Sequence, residues 1–473
     1  MTDPGSSLRS QAARGAAWSG LSTILLRLSS VAVGVVLARL LTPSQFGVYA
    51  VALTVQSILM TIADLGLSAG MVRSDEPERI APTVATIGLA VAVVTTSLTI
   101  ATSSLLADLL GSPAAAPAIS VLAFTLLLAG VSLIPYSMLL RRFQQRELFI
   151  VGVVDFIVST SVTLALVAGG FGVMGLAIGR VTAQVASSIL QFFLARVRPR
   201  FGIDRALVGP VLGFGTPIAL ANLLAFGLLN VDNVVLVRVA GATALGFYVL
   251  AFNISNWPMS ALSQTVRAVS LPYFSRTEDG GDGLAKLVAI GWAAALPAGA
   301  LLAALSAPLI AVVYGERWLP SAPVLAALGV FGSLRVTFEI FNAYLYAQGR
   351  SKPVLWIQVI WLLTLTAGML FATSRFGIVG AGWAHVVVAV FIVLPAYLKI
   401  LGRTGIRLAT MLRRLWWPTA GAMISVTAAV LVRVFLPGRL LQLLIGGALA
   451  GAVYAIVMWS WARRELRWIR QKS

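Results

Sequence analysis

Of the charged side chains inside long apolar stretches, where a charge needs a physical reason, five are candidates for a function. They are Arg27, Asp155, Asp232, Arg335 and Glu339. At the centre of a bilayer a charged side chain costs at least about 2.5–3.5 kcal/mol. An arginine stays protonated and offers a planar fork of donors, so an arginine at this depth can bind an anion such as a phosphate. A carboxylate at this depth can bind a proton or Na⁺ and couple a process to an ion gradient.

Three of these residues also have structural interpretations. Arg27 lies about 16 Å into the first apolar stretch, at 1.5 Å per residue, and can simply pair with a carboxylate. Arg335 and Glu339 stand at positions i and i+4, on one face of a helix. They can neutralise each other, or form a switch in which phosphate or a proton competes for one partner.

The two aspartates leave similar alternatives open. Asp232 stands beside Asn230 and Asn233, near one end of its apolar stretch. It can bind a coupling ion, cap a helix or pair with Arg238. Asp155 lies about two turns inside its stretch and serves either ion coupling or structure.

The surrounding elements must be membrane helices. Of 473 residues, 59% are hydrophobic and 11% are charged, with a mean hydropathy of +0.93. Soluble domains are about 45–50% apolar and about 25% charged. This composition excludes a soluble enzyme, a secreted domain and a disordered chain. The chain has no cysteine and one histidine, His385, which argues against thiolate and imidazole metal sites and predicts a packed, hydrogen-bonded imidazole.

Apolar runs separated by polar breaks predict an all-α polytopic membrane protein with fourteen transmembrane helices, since each crossing needs about 20 apolar residues. The predicted spans are 17–39, 46–67, 80–106, 116–139, 149–170, 173–195, 211–236, 244–269, 287–313, 323–346, 354–374, 378–400, 413–436 and 441–462. The first is predicted to be an uncleaved helix, because no small-residue cleavage site follows it.

The basic residues predict the orientation of these helices. Of the 35 Lys and Arg, 25 lie in loops on the side of the N-terminus, 6 in the opposite loops and 4 within spans. The positive-inside rule then places both termini in the cytoplasm. The net charge of +19 is therefore explained by topology and by attraction to anionic membrane lipids, and nucleic acid is not predicted as a partner.

The chain also resembles itself at an offset near 200 residues. The matched pairs are Arg39 with Arg238, Gly47 with Gly246, Tyr49 with Tyr248, and the run 171–175 with the run 376–380. Because each copy holds an even number of helices, the copies share one orientation, as in transporters built from parallel repeats. The predicted organisation is an N-lobe with helices 1–6 (1–208), a C-lobe with helices 7–12 (209–405), and helices 13–14 with a basic tail (406–473).

Several motifs of the chain resemble those of Wzx-type polysaccharide flippases. They are ARLLTPSQFGVY at 38–49, DLGL at 64–67, NVDN at 230–233 and AQGR at 347–350. Their order and spacing carry the resemblance, which extends from residue 14 to about residue 401. One departure is Val237, where the pattern has glycine before the arginine. Wzx-type flippases belong to the multidrug/oligosaccharidyl-lipid/polysaccharide flippase superfamily.

The resemblance implies a V-shaped pair of six-helix bundles in a bacterial cytoplasmic membrane. It implies a substrate of polyprenyl diphosphate carrying an oligosaccharide, moved from the inner to the outer leaflet. Arg27 and Arg335 then become candidates for binding the diphosphate, and Asp155, Asp232 and Glu339 candidates for ion coupling or gating. No cofactor is expected beyond a coupling H⁺ or Na⁺. A polysaccharide polymerase and glycosyltransferases are candidate partners.

Two other functions remain to be weighed. An ion-coupled small-molecule exporter of the multidrug type has the same fold, and only the motifs above argue against it. A membrane enzyme acting on the same lipids needs a sizeable soluble loop or clustered carboxylates. The predicted outer loops contain only Asp108 and Glu316 as acids, so an enzyme is not expected.

Overall fold

The computed structural model describes residues 29–198, 200–276 and 282–472, and within these ranges the chain is helical, without strands. In chain order the α-helices are α1 (Ser29–Leu40), α2 (Pro43–Asp64), α3 (Leu67–Arg73), α4 (Pro77–Ala101), α5 (Ser103–Leu109), α6 (Ala116–Arg141), α7 (Gln145–Ala168), α8 (Gly172–Ala195), α9 (Arg205–Arg276), α10 (Asp282–Ala304), α11 (Ser306–Val313), α12 (Ala322–Ala347), α13 (Ser351–Val388), α14 (Leu394–Gly402), α15 (Leu408–Phe435) and α16 (Arg439–Lys472). Short 3₁₀ segments precede α6 and α12, and a π-helical turn joins α13 to α14. The predicted fold class, an all-α polytopic membrane protein, is confirmed.

In the described part of the chain, eleven helical stretches are long and apolar enough to cross a membrane. The longest, Ser351–Gly402, has 52 residues, or about 78 Å of helix, against a hydrocarbon core of about 30 Å. It turns at Gly377, whose φ of 59° and ψ of −147° are not helical. Helix α9 turns in the same way at Gly241. The arms of α9, and those of the Ser351–Gly402 stretch, correspond to four predicted spans, 211–236, 244–269, 354–374 and 378–400.

Three helices end earlier than the hydropathy pattern predicts. Helix α2 stops at Asp64, because Leu65 and Gly66 adopt left-handed conformations with φ of 44° and 67°. The predicted span 80–106 breaks at Thr102 and the span 287–313 breaks at Leu305. Hydropathy does not register these breaks, since the few polar residues beside them, Asp64, Ser103 and Ser306, are averaged with long apolar stretches.

The internal repeat is visible in the order of the elements. In each copy a long helix is followed by a short one, a 3₁₀ turn and another long helix. These are α4, α5 and α6 in the first copy and α10, α11 and α12 in the second. The aligned glycines Gly172 and Gly377 both have positive φ, 50° and 59°. The repeated sequence therefore encodes a repeated series of helices and turns.

The chain divides into two compact units, with the boundary between Thr243 and Ala244. The first unit contains a core cluster of Leu67, Met71, Val84, Leu133, Ile134 and Met138 with Ala85. A core cluster of the second unit contains Met259, Ala295 and Val336. The lobe boundaries predicted from the repeat, 208/209 and 405/406, stay predictions.

Glycines let helix pairs pack at short range in both units. A Cβ on Gly299 of α10 would lie 2.2 Å from the carbonyl oxygen of Gly329 in α12. In the first unit, a Cβ on Gly130 of α6 would lie 2.3 Å from the Cβ of Ala92 in α4. Small residues are the usual means of close helix packing within a membrane, where burial of apolar surface adds little.

Candidate functional site

The two charged residues of α12 both contact α9 within the second unit. A guanidinium nitrogen of Arg335, Nη2, donates to Oδ1 of Asn256 at 2.6 Å. The carboxylate of Glu339 instead forms an ion pair with Arg267, at 2.6 Å between Nη2 and Oε1. Arg335 and Glu339 thus each contact a different side chain of α9, while the choice between mutual neutralisation and a switch stays a prediction. The neighbouring helix offers both side chains better-placed partners.

This arrangement leaves a positive charge within the membrane-spanning part of the second unit. Two arginines and one glutamate, Arg267, Arg335 and Glu339, carry a net formal charge of +1. Glu339 is engaged by Arg267, while the hydrogen-bond partner of Arg335 is a neutral amide. Arg335 is half-buried, and its position about 13 residues into α12 places it about 20 Å along that helix. A half-buried guanidinium with a neutral partner is suited to binding an anion.

Aromatic rings surround this part of α12. Phe331, one turn before Arg335, has its ring centroid 4.9 Å from that of His385. Nε2 of the buried His385 shares a 2.9 Å hydrogen bond with the hydroxyl of Tyr248. The packed, hydrogen-bonded imidazole expected from the sequence is confirmed. Tyr248 is one of the residues matched by the internal repeat, which also aligns His385 with Arg180 in the first copy.

In the first unit, Asp155 of α7 pairs with Arg180 of α8. Nη1 of Arg180 lies 2.9 Å from Oδ2 of Asp155, and the hydroxyl of Ser187 donates to Oδ1 at 3.1 Å. Asp155 therefore has a cationic and a neutral donor from the adjacent helix. The pairing supports a structural role for Asp155. Its proposed part in ion coupling stays a prediction.

Asp232 is buried in the first unit, in the first arm of α9. Its Oδ1 accepts from the backbone N–H of Asn233 at 2.9 Å. The amide of Asn233 lies 3.4 Å from both Asn230 Oδ1 and Thr54 Oγ1, which connects α9 to α2 through a polar cluster. The guanidinium of Arg238, the partner considered for Asp232, donates to the carbonyl oxygen of Asp108 at 3.4 Å.

Of the candidate residues, Arg27 lies outside the described residues. Its role as a diphosphate ligand stays a prediction.

Within the described ranges, no group of three or more His, Asp or Glu side chains is placed to hold a metal ion.

A polar cavity of the first unit was not foreseen from the sequence. It has a volume of about 320 Å³ and lies between α2, α3, α6 and α8, with Asp64, Ser68, Tyr136, Gln184 and Gln191 in its wall. The hydroxyl of Ser68 donates to Oδ2 of Asp64 at 2.9 Å. Oε1 of Gln191 is buried without a hydrogen-bond partner among the described residues. Buried acceptors of this kind call for a donor, so the cavity is suited to hydroxyl groups or a cation.

The sequence contained a partial signal for this cavity. Gln184 and Gln191 lie seven residues apart, about two turns, and so fall on one face of α8. Asp64 lies near the end of α2, and a carboxylate at that depth is easily explained by exposure at the membrane surface. Only the tertiary structure brings the three side chains around one cavity.

Comparison with known proteins relates the chain to polysaccharide biosynthesis. Residues 36–323 match the family described as "Polysaccharide biosynthesis protein". The chain is 28% identical over 358 residues to "Lipopolysaccharide biosynthesis protein WzxC" of Escherichia coli, covering 73% of this chain and 71% of that protein. It is 26% identical over 471 residues to "Succinoglycan biosynthesis transport protein ExoT" of Rhizobium meliloti, covering 96% and 94%.

Among solved structures, the fold is similar to that of "Lipid II flippase MurJ, inward closed conformation". The TM-score is 0.77, with 94% of this chain and 99% of that chain covered. The sequence identity is 14%, so this similarity concerns the fold alone.

Proposed function

The chain belongs to the polysaccharide biosynthesis protein family, and on that premise we propose that it is a flippase for lipid-linked oligosaccharides. It moves an oligosaccharide on polyprenyl diphosphate from the inner to the outer leaflet of a bacterial cytoplasmic membrane. The prenyl tail stays in the lipid while the polar headgroup crosses within the protein. The two relatives reported above are named as lipopolysaccharide biosynthesis and succinoglycan transport proteins, and the match covers 71% and 94% of their lengths. This similarity supports the proposal.

One observation of the structure carries the proposal, namely the setting of Arg335. A diphosphate headgroup is an anion that cannot cross hydrocarbon without a counter-charge. The guanidinium of Arg335 stands within a membrane-spanning helix, held by the neutral Asn256, while Glu339 is occupied by Arg267. Arg335 thus keeps both its charge and its orientation. We assign it to the diphosphate, together with Arg27.

Transport by this fold is proposed to follow alternating access. The two repeats carry like series of helices, and transporters built from parallel repeats expose one site to each side in turn. A ligand can drive this change only if it binds the two states with different affinities. A coupling H⁺ or Na⁺ is proposed to act at carboxylates, for which Asp155, Asp232 and Glu339 are the candidates. A polymerase and glycosyltransferases are the proposed partners on either side of this step.

The proposal is tested in cells that lack the gene. Polyprenyl-linked glycans are analysed by mass spectrometry, and their leaflet is determined by oxidation with periodate that does not cross the membrane. We expect an intact diphosphate-linked oligosaccharide to accumulate, protected from periodate. Accumulation on the exposed outer leaflet would instead indicate a missing polymerase or ligase. An unchanged glycan pool with a new drug sensitivity would favour an ion-coupled small-molecule exporter.

The assignment of Arg335 is tested in the same assay by complementation. Arg335→Ala is expected to lower export about tenfold to a hundredfold, the equivalent of a lost charge-assisted hydrogen bond. Arg335→Lys should restore part of it, since lysine keeps the charge but not the planar fork. The matched control is Arg375→Ala, which removes an exposed arginine of the same unit and should export normally. Full export by Arg335→Ala would reject the assignment.

A further inference from the structure

A second cavity of the first unit is lined by arginines. It has a volume of about 410 Å³ and lies where α4 begins and α6 and α8 end, beside the segment that follows α8. Four arginines and one glutamate stand in its wall, giving a net formal charge of +3. They are Arg142, Arg196, Arg198, Arg200 and Glu78. An electropositive cavity of this size selects an anion.

One arginine of the cavity is hydrogen-bonded to the fold, and the backbone segment that carries the other three is anchored. Nη1 of Arg142 donates to the carbonyl oxygen of Ala195 at 2.9 Å, which fixes its guanidinium at the end of α8. Arg196 adopts a left-handed conformation, with φ of 52°, and turns the chain out of the helix. Further on, the backbone N–H groups of Gly202 and Asp204 donate to the hydroxyls of Thr86 and Thr83, each at 3.0 Å. The basic segment is therefore anchored at both ends.

The other walls of the cavity are apolar. Ile134 and Met138 of α6 are buried, and Phe192 of α8 faces the same space. Phe201, also in the wall, is 60% exposed, and Ile203 beyond it is 62% exposed. Exposed apolar side chains that directly follow a run of arginines are suited to a membrane surface, where apolar groups enter the lipid and arginines meet the headgroups. The cavity thus combines a phosphate-binding charge with a hydrocarbon-binding wall.

The second copy of the repeat does not carry this charge at the matching positions. At the repeat offset of 205, Arg196, Arg198 and Arg200 align with Leu401, Arg403 and Gly405. Arg142 and Gln348 occupy the same structural position, the C-terminal caps of α6 and α12. The second loop is itself basic, with Lys399, Arg403, Arg407, Arg413 and Arg414, so the two copies differ in where their basic residues stand and not in their number. What distinguishes the first copy is that its arginines line a cavity.

We propose that this cavity binds the phosphate headgroup of an anionic membrane lipid. The guanidinium groups contact the phosphate oxygens, and the apolar wall receives the first part of the lipid tail. On the orientation proposed above, the lipid comes from the cytoplasmic leaflet. Two sources have this chemistry, an anionic glycerophospholipid and a polyprenyl diphosphate.

The test uses the purified full-length protein in detergent and native mass spectrometry, which resolves each bound lipid by its mass. The probes are phosphatidylglycerol, phosphatidylcholine, undecaprenyl diphosphate and undecaprenol. The double variant Arg198→Gln with Arg200→Gln is compared with Arg403→Gln with Arg407→Gln, which removes the same charge from the second unit. Each arginine removed from the cavity is expected to weaken binding of the phosphate-bearing lipids about fivefold. The second-unit pair should change it by less than about twofold.

The two sources are separated by competition between phosphatidylglycerol and undecaprenyl diphosphate in one sample. Preference for the diphosphate identifies the carrier lipid as the occupant, and equal occupancy identifies a general anionic lipid. Equal losses with both variant pairs would overturn the proposal, as would binding of phosphatidylcholine or undecaprenol as tightly as their anionic counterparts. If the double variant fails to fold, Arg196→Gln alone carries the same test. Because no transport is measured, the result is independent of the flippase assay.

Discussion

At the scale of residues, charges within the spans are satisfied by partners on neighbouring helices. Glu339 reaches Arg267 rather than Arg335, four residues away on its own helix. Asp155 pairs with Arg180, although the two residues stand at different depths. Measured from the turn that joins α7 to α8, their positions along the helix axes differ by about 7–8 Å. An arginine side chain is long enough to bridge that difference. Sequence spacing alone therefore identified the charged residues but not their partners.

The pair of Asp155 and Arg180 is predicted to act in stability. Both residues lie in helices that are long and apolar enough to cross a membrane, where a charge left without its partner is costly, so each single change, Asp155→Ala or Arg180→Ala, should lower the free energy of unfolding by about 2–3 kcal/mol. The double variant should lose little more than either single variant, because the second change breaks no further ion pair. Thermal unfolding of the four proteins in detergent gives this cycle.

Asp108→Ala, which removes an exposed carboxylate, serves as the control and should unfold like the parent protein. Additive losses in the cycle would show that Asp155 and Arg180 do not interact. If Asp155→Asn abolished export while the unfolding midpoint stayed unchanged, the result would favour a role of Asp155 in ion coupling.

At the scale of elements, the sequence was informative about helices and less so about their ends. Every predicted span from 46–67 onward corresponds to a helix, to one arm of a kinked helix or, for 80–106 and 287–313, to a long helix and the short one that follows it. The breaks at Leu65, Thr102 and Leu305 were missed, because hydropathy averaged over a whole span does not register a local turn or a single polar residue. The start of α2, at Pro43, was also placed too late by the predicted span 46–67, although Thr42 and Gln45 form a capping box that the sequence TPSQ encodes locally.

Close packing of α10 against α12 is predicted to depend on Gly299. A Cβ at this position would lie 2.2 Å from the carbonyl oxygen of Gly329 and 2.3 Å from the hydroxyl of Ser333. Gly299→Val should therefore separate the two helices and destabilise the protein by about 1–3 kcal/mol, the usual effect of overpacking. Gly451→Val provides the matched control, since its Cβ would meet no atom within 4 Å. Equal unfolding midpoints for the two variants would contradict this account of the packing.

At the scale of the whole molecule, the repeat was the most informative feature of the sequence. It predicted two like series of helices, and the structure has the same order of long helices, short helices and turns in each copy. The polar cavities of the first unit were not predictable in this way. Each is assembled from side chains of three or more helices, whose relative rotation no single helical pattern specifies.

The orientation of the molecule in the membrane is the last prediction, and the absence of cysteine makes it directly testable. Single cysteines are introduced at exposed positions on the two predicted sides. Asp75→Cys and Arg403→Cys lie on the predicted cytoplasmic side, and Phe171→Cys and Pro437→Cys lie on the outer side. An impermeant maleimide applied to spheroplasts should label only the second pair, because the alternation of helices places the two pairs on opposite faces.

Permeabilised cells provide the control, in which all four cysteines should react. If only Asp75→Cys and Arg403→Cys were labelled in spheroplasts, the true orientation would be the inverse of the predicted one. The arginine-lined cavity would then face the outer leaflet, and cytoplasmic lipid could not reach it directly. Labelling of one residue from each pair would mean that a predicted crossing between them does not span the membrane. The expected pattern, in contrast, follows from 25 of the 35 basic residues lying on one side of fourteen alternating spans.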